Sequence, residues 1–593
     1  MLIVHITHNK TCVSSYVFMY CHRVLPHLTI FDYFVKFIII IFRPARNMST
    51  DAASSLTPCI IGTKPSRIIE LILTDRENMW LPIFMTLLAV SAIALIVISI
   101  KGRRRRMLGN RIPGPEGTFI LGLLPLVLQG AEQKVKSAKV VYQAYEKSLF
   151  KAWLLNKLYI ILTRPEDIEF VLTSPKFLRK AKEYMVMQQS IMGQGIFTID
   201  DINKWKVNRK LMTKGFSFKL LKEFIPIFYG EALVLAEILR DNSNSTSKEC
   251  DVSGPVSMAT MEMIGKTALG VTFNAQKGGC NRFVENLLTA MHAWEYRMTH
   301  PWYLSSTLFQ FSSIKRKHDR SQKIINEFTD EIIRTKIVEL DKSGSKNDVN
   351  SNDDENERNT ETLTKIFLEN SHENMSLEQI RDELVTVMIG GQETTAMANA
   401  CVIFMLAHHQ DVQDKVFKEQ ESIFSIGDRN RPVTYNDLVQ MEYLERVIKE
   451  TLRLFPPLPV FGRALDEDTT IGGHLCPAGS TLIVSPLFLH LSPQLYGGTA
   501  RGPDAFDPDN FLPEACHGRH PYAYIPFSTG PRNCIGIKYA MLQMKTVVST
   551  LIRHQKFLPS DRCPTPDRLR LMFLSTLKLA DGCYVKVEQR VPE

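Results

Sequence analysis

Apolar residues recur at i, i+3 and i+4 through much of 118–340, which predicts a mostly helical region. Short strand-like runs such as Leu158-Tyr159-Ile160-Ile161-Leu162 interrupt it. Residues 341–362 are polar, acidic and nearly free of apolar side chains, so a solvated surface loop is expected there. Ser376-Leu377-Glu378-Gln379 has the form of a capping box. It opens a long helix through Leu384, Val387, Met388 and Ile389 toward Phe404 and Leu406. A second helix is expected over 443–454, stopped by Pro456-Pro457, which cannot continue it. Thr481-Leu482-Ile483-Val484 is strand-like, and 538–553 returns to helix. No internal repeat is visible. The fold class is mainly α with minor β.

Nearer the N-terminus the pattern changes. Residues 81–100 carry no charge and are long enough to cross a bilayer, for which about 20 residues suffice. Trp80 flanks one end, and Lys101-Gly102-Arg103-Arg104-Arg105-Arg106 the other. Only Asp75-Arg76-Glu77 precedes the span, so the positive-inside rule places the C-terminal bulk in the cytosol. Pro113 and Pro115 then predict a stiff elbow. The expected organisation is an extension over 1–78 without a catalytic role, a transmembrane anchor with its basic stop over 79–106, and one catalytic domain over 107–593. Residues 1–47 contain a single acid, Asp32, as mitochondrial presequences do, but the downstream span argues against a matrix enzyme. Met79, directly before the anchor, is a candidate start.

Composition narrows the class. With 593 residues, 45% hydrophobic and 22% charged, the chain is ordinary globular material, and no linker divides it into comparable parts. A net charge of +9 suits an anionic membrane surface or an acidic protein partner, and no nucleic-acid motif accompanies it. The 11 cysteines lie singly, without a disulfide framework, as reduced cytosolic thiols do. One of them must then be distinguished by its surroundings.

That one is Cys534, in Phe527-Ser528-Thr529-Gly530-Pro531-Arg532-Asn533-Cys534-Ile535-Gly536. A glycine-bearing loop presents one thiol, and a helix is expected to start near Cys534, where its N-terminus favours an anionic sulfur. Gly390-Gly391-Gln392-Glu393-Thr394-Thr395 lies within the long helix. Adjacent glycines let a ligand approach the backbone, and an acid followed by an alcohol can relay protons. Trp205 and Arg209, at i and i+4, aim at one target. Cys516-His517-Gly518-Arg519-His520 and His408-His409 hold metal-like residues, but they lack a full ligand set and are set aside as loop and surface turn.

The cysteine loop resembles the haem-binding signature F-x-x-G-x-R-x-C-x-G of the cytochrome P-450 superfamily, matched at Phe527, Gly530, Arg532, Cys534 and Gly536. Glu450-Thr451-Leu452-Arg453 is similar to the family's E-x-x-R, a buried structural pair. Phe506-Asp507-Pro508-Asp509-Asn510-Phe511 resembles the segment that usually adds an arginine to it; here Asn510 stands in that place. The resemblance implies haem b with Cys534 as axial thiolate, an electron-donating ligand that favours O–O cleavage. It gives Trp205, Arg209, Arg463 and Arg532 to the propionates, and Glu393 and Thr394 to proton delivery.

Residues 205–224 and 526–536 carry the closest likeness, to the fatty-acid ω-hydroxylase clan and its insect members. This implies a monooxygenase at the endoplasmic reticulum membrane, acting on a hydrophobic small molecule with electrons from NADPH-cytochrome P-450 reductase, and with cytochrome b5 as a second donor. Lys206 and Lys210 are candidates for its basic docking face. Many members of that clan place a glutamate, ester-linked to haem, where this chain has Gly390, so non-covalent haem is expected. Two alternatives stand beside this reading: a haem-binding sensor or sequestration protein, and an isomerase that rearranges peroxides.

Overall fold

The computed structural model describes residues 85, 86, 89, 102–118, 121–245, 249–344, 362–370, 375–424, 430–497, 502–573 and 576–590. The chain divides into a unit over Met1–Ile96 and a unit over Val97–Glu593. In the first, Met85, Thr86 and Ala89 have helical backbone and are exposed. Most of the expected anchor, residues 81–100, lies outside the described residues, as does nearly all of 1–78. Among the described residues, no helix is long and apolar enough to cross a membrane. The rest concerns the second unit.

Residues 102–109, which include the run Arg103–Arg106, are helical, and the chain leaves that helix before Ile112 and Pro113. Arg104 pairs with Asp468, and Arg105 donates to the Gly479 and Asn156 carbonyls. The expected elbow follows, packed on a strand through Lys151 N donating to Pro113 O at 2.8 Å.

Helices dominate: α1 Ala131–Ala144, α2 Ile202–Gly215, α3 Ile225–Ser245, α4 Ser253–Ile264, α5 Asn281–Thr299, α6 Ser313–Gly344, α7 Leu377–His408, α8 Gln410–Ile423, α9 Glu442–Leu454 and α10 Ile537–His554. Strands β1 Phe150–Leu154, β2 Lys157–Leu162, β4 Phe461–Ala464 and β7 Thr481–Val484 form a sheet in the order β1-β2-β7-β4. Only β2 and β7 pair in parallel. Strand β3, Glu249–Asp251, joins β8, Gln555–Pro559, through β11, Tyr584–Gln589. Two antiparallel pairs complete the set: β5 Thr469–Ile471 with β6 His474–Cys476, and β9 Leu571–Phe573 with β10 Leu577–Leu579.

Helix α7 runs through the main apolar core, and every residue from 398 to 407 is buried, as expected of a helix that is apolar on all faces. Its cap differs from the sequence expectation in one half. Ser376 Oγ accepts from Gln379 N at 3.2 Å, but the Gln379 amide reaches Asn208 Oδ1 at 3.3 Å, away from the cap. A second correction concerns 341–362. Helix α6 continues to Gly344, with Asp341 and Lys342 exposed, and 345–361 lie outside the described residues. The helix expected near Cys534 follows the cysteine loop: α10 starts at Ile537, with Gly536 as the N-cap.

Candidate haem-thiolate site

The cysteine loop is shaped by backbone contacts. Cys534 N donates to Phe527 O at 2.9 Å and Asn533 N to Gly530 O at 3.1 Å. Gly530 has φ +74°, and a Cβ there would stand 2.1 Å from Leu172 O, so no other residue fits. At Gly536 a Cβ would meet Cys534 Sγ at an ordinary 3.8 Å, so closeness alone does not require that glycine.

Protein surrounds the Cys534 sulfur, yet a water-sized sphere reaches it, because it opens into an internal cavity. Burial pushes the thiol up; the Gly536 N–H and the Arg209 guanidinium act the other way, favouring the thiolate. Met187, Met192, Phe197, Met291 and Val387 give the cavity much of its apolar wall.

Four cations line the same cavity: Lys180, Arg209, Arg463 and Arg532. Arg532 donates to the carbonyls of Leu178, Ile196 and Ile199 and stacks on Trp205, 4.2 Å from the ring centre. Arg209 reaches Asn533 O at 2.8 Å and Oδ1 at 2.6 Å. Arg463 is bonded to the Gly462 carbonyl. Lys180 lies against the rings of Tyr184 and Phe197, 4.8 and 4.6 Å from their centres. Burial, then the Arg463 and Arg532 charges, push its ammonium well below the usual lysine range. Trp205 and Arg209 thus share a helix, but Arg209 is engaged with the cysteine loop and Trp205 with Arg532.

Lys180 escaped the sequence reading. Nothing in Phe177-Leu178-Arg179-Lys180 separates it from a surface lysine; a backbone bridge pairs it with Arg463, 283 positions away in the chain.

On the opposite wall stand Gly390, Gly391, Glu393 and Thr394 of α7. A Cβ on Gly391 would strike Ile264 Cδ1 at 2.6 Å, so this glycine lets α4 pack closely, whereas Gly390 faces open space. Thr394 Oγ1 donates to Gly390 O at 2.6 Å. Glu393 Oε1 accepts from Thr576 Oγ1 at 3.0 Å and lies 3.2 Å from Lys578 Nζ.

Away from the cavity, Glu450 and Arg453 form the expected buried pair at 2.7 Å. His408 and His409 are not a free surface turn: both are half-buried, and His408 bonds the Phe404 and Cys563 carbonyls. Cys516 and Arg519 both bond to Asn510 O.

The family model for Cytochrome P450 matches residues 112–583. The chain belongs to the cytochrome P450 family. It is 32% identical over 524 residues to "Cytochrome P450 4c3" of Drosophila melanogaster, covering 85% of this chain and 94% of that protein. It is 32% identical over 484 residues to "Cytochrome P450 4c21" of Blattella germanica, covering 80% and 93%. With "Cytochrome P450 4V2" of Rattus norvegicus it shares 31% over 446 residues, covering 74% and 82%. Membership makes the chain a monooxygenase, an oxidoreductase with haem b and an axial cysteine thiolate.

The residues present fit that group. Haem b brings two carboxylates and an iron that takes a thiolate. The cavity supplies one thiol and four buried or half-buried cations, none of them in an ion pair with an acid among the described residues. Leaving such charges uncompensated in the interior is costly, and an anionic ligand relieves it.

Proposed function

We propose that Cys534 is the axial ligand and that the chain oxygenates a hydrophobic small molecule, a fatty acid, lipid-derived signal or xenobiotic, with electrons from NADPH-cytochrome P-450 reductase and cytochrome b5. The observation that carries this reading is the Cys534 sulfur opening into an apolar cavity whose four cations form no ion pair with an acid among the described residues. When bound, the haem supplies dioxygen activation. Arg209, Arg463, Arg532, Lys180 and Trp205 hold its carboxylates by charge and hydrogen bonding. Phe527 and Gly536 shape the approach to the sulfur. Glu393 and Thr394 move protons into the site, and that pair favours oxygenation over sensing or peroxide rearrangement.

Residues 81–100 and the cations after them support an anchor over 79–106 in the endoplasmic reticulum membrane. The catalytic domain, 107–593, then lies in the cytosol and 1–78 takes no part in catalysis. Lys206 and Lys210 are exposed on α2 and belong to the reductase-docking face.

The test replaces Cys534 by His and records the reduced carbon monoxide spectrum. The thiolate-specific band disappears while some haem binding remains; an unchanged band removes Cys534 as the ligand. Reconstitution of the wild type with the reductase, NADPH and a panel of fatty acids and xenobiotics then reads the substrate class. NADPH use without an oxygenated product throughout the panel would overturn the substrate assignment.

A further inference from the structure

Glu393 is held by a third structural element. Thr576 and Lys578, which bond its Oε1, belong to the β9–β10 hairpin, while its buried Oε2 has no hydrogen-bond partner among the described residues. The same Lys578 Nζ lies 4.0 Å from Glu295 Oε1 on α5. Glu295 is one turn beyond Met291, which lines the cavity. One ammonium therefore serves two carboxylates on two helices. Both acids are nearly enclosed, with side chains 12% and 6% exposed, so the contacts are weakly screened.

We propose that Lys578 is a positioning residue for oxygenation: it retains the Glu393 carboxylate on the hairpin, and Glu295 competes for the same ammonium, so that the seating of α5 sets how readily Glu393 is released. The inference rests on the proton-relay reading of Glu393. An ionised carboxylate stays on the ammonium; a neutral one loses most of that attraction and is free to turn. Burial raises the Glu393 carboxyl above its ordinary range, Lys578 and Thr576 draw it back down, and Glu295 raises it again. Those are the groups that face Glu393 from α5 and from the hairpin; Lys134 of α1 interacts with the Glu295 charge. Productive release then belongs to the protonated form, and product formed per NADPH falls as pH rises through the Glu393 titration.

The experiment follows product per NADPH against pH in the reductase-coupled holoenzyme, with the reduced carbon monoxide spectrum confirming equal haem in each variant. Lys578→Met displaces the fall to higher pH, Lys578→Arg restores the wild-type position, and Glu295→Gln displaces it to lower pH. In the Lys578→Met background the Glu295→Gln displacement shrinks, because the shared ammonium is gone. An undiminished displacement there overturns the competition. Glu393→Gln abolishes the fall; if it does not, the proton-relay reading itself fails. If Glu393→Gln abolishes the fall while Lys578→Met leaves it in place, only the positioning role is overturned. Should Lys578→Met not load haem, an unmoved profile in Glu295→Gln overturns the proposal equally.

Discussion

Asn510 donates its side-chain amide to Glu450 Oε1 at 3.0 Å. The same carboxylate binds Arg453 through two bonds of 2.7 Å, and Arg453 sends its other donors to the carbonyls of His490, Pro503 and Ala505. The pair is already neutral, so an amide adds a hydrogen bond without adding a second buried cation.

Glu450→Ala strands the Arg453 guanidinium in the core and costs about 3–5 kcal/mol, as breaking a buried pair does. Asn510→Ala removes one neutral donor and costs about 1 kcal/mol. Urea unfolding of the haem-loaded proteins, followed at the haem band, orders the two. A Glu450→Ala protein as stable as the wild type would show that the pair is not structural.

Local pattern carried much of this fold. The run 158–162, the helix before Pro456-Pro457 and the helix over 538–553 were legible because periodicity and proline act on neighbours in sequence. The helical end over 341–344 was not, since exposed residues such as Asp341 and Lys342 suit a helix end and a loop equally. The position of Cys534 ahead of α10 follows from the turn closed by Asn533 N and Gly530 O, which no periodicity announces. At the site, Cys534, Arg532 and Trp205 were legible as a motif. Lys180 and Lys578 were not, because each acquires its place from a partner far away in the chain, Arg463 for the first and Glu393 for the second.

Thr394 is half-buried on the cavity wall, with its hydroxyl on the Gly390 carbonyl. Thr394→Ala removes the hydroxyl and frees that carbonyl, while the haem-holding residues are untouched. Haem content and substrate binding stay near wild type, and NADPH is spent on hydrogen peroxide and water, because protons arrive out of step. Product and peroxide per NADPH are the measurement. A wild-type product ratio would remove Thr394 from the relay.

Glu383 lies buried on α7, where it accepts from Ile196 N at 2.8 Å and Asn208 Nδ2 at 2.6 Å. Burial pushes its carboxyl up to about 7, against those two donors. The folded state therefore holds this proton more tightly than the unfolded chain does. Stability falls as pH rises from the ordinary glutamate range to about 7, and this contribution is flat above it, with a slope near 1.4 kcal/mol per pH unit at most. Neighbouring Asp382, pushed up to about 6, adds to the lower part of that window. Glu383→Gln keeps an acceptor for one donor and removes its share of the slope. Denaturant midpoints between pH 5 and pH 8 read the difference, and parallel curves for the two proteins would refute it.

Gly390 bears on how the haem is retained. An added Cβ there meets nothing within 4 Å, so the space a longer side chain needs is present, but glycine offers no carboxylate for an ester. Glu393 is three residues further on and is occupied by Thr576 and Lys578. The haem should then be held by Cys534 and by non-covalent contacts, those of Lys180, Trp205, Arg209, Arg463 and Arg532 among them. Acidified organic extraction of the wild type should strip all of it from the polypeptide, and denaturing chromatography should separate pigment from chain. Gly390→Glu places a carboxylate on the cavity wall, and on turnover a fraction of its haem should become inextractable. Pigment that travels with the unmodified wild-type chain would defeat this account, and mass spectrometry of the haem peptide would then identify the carboxylate responsible.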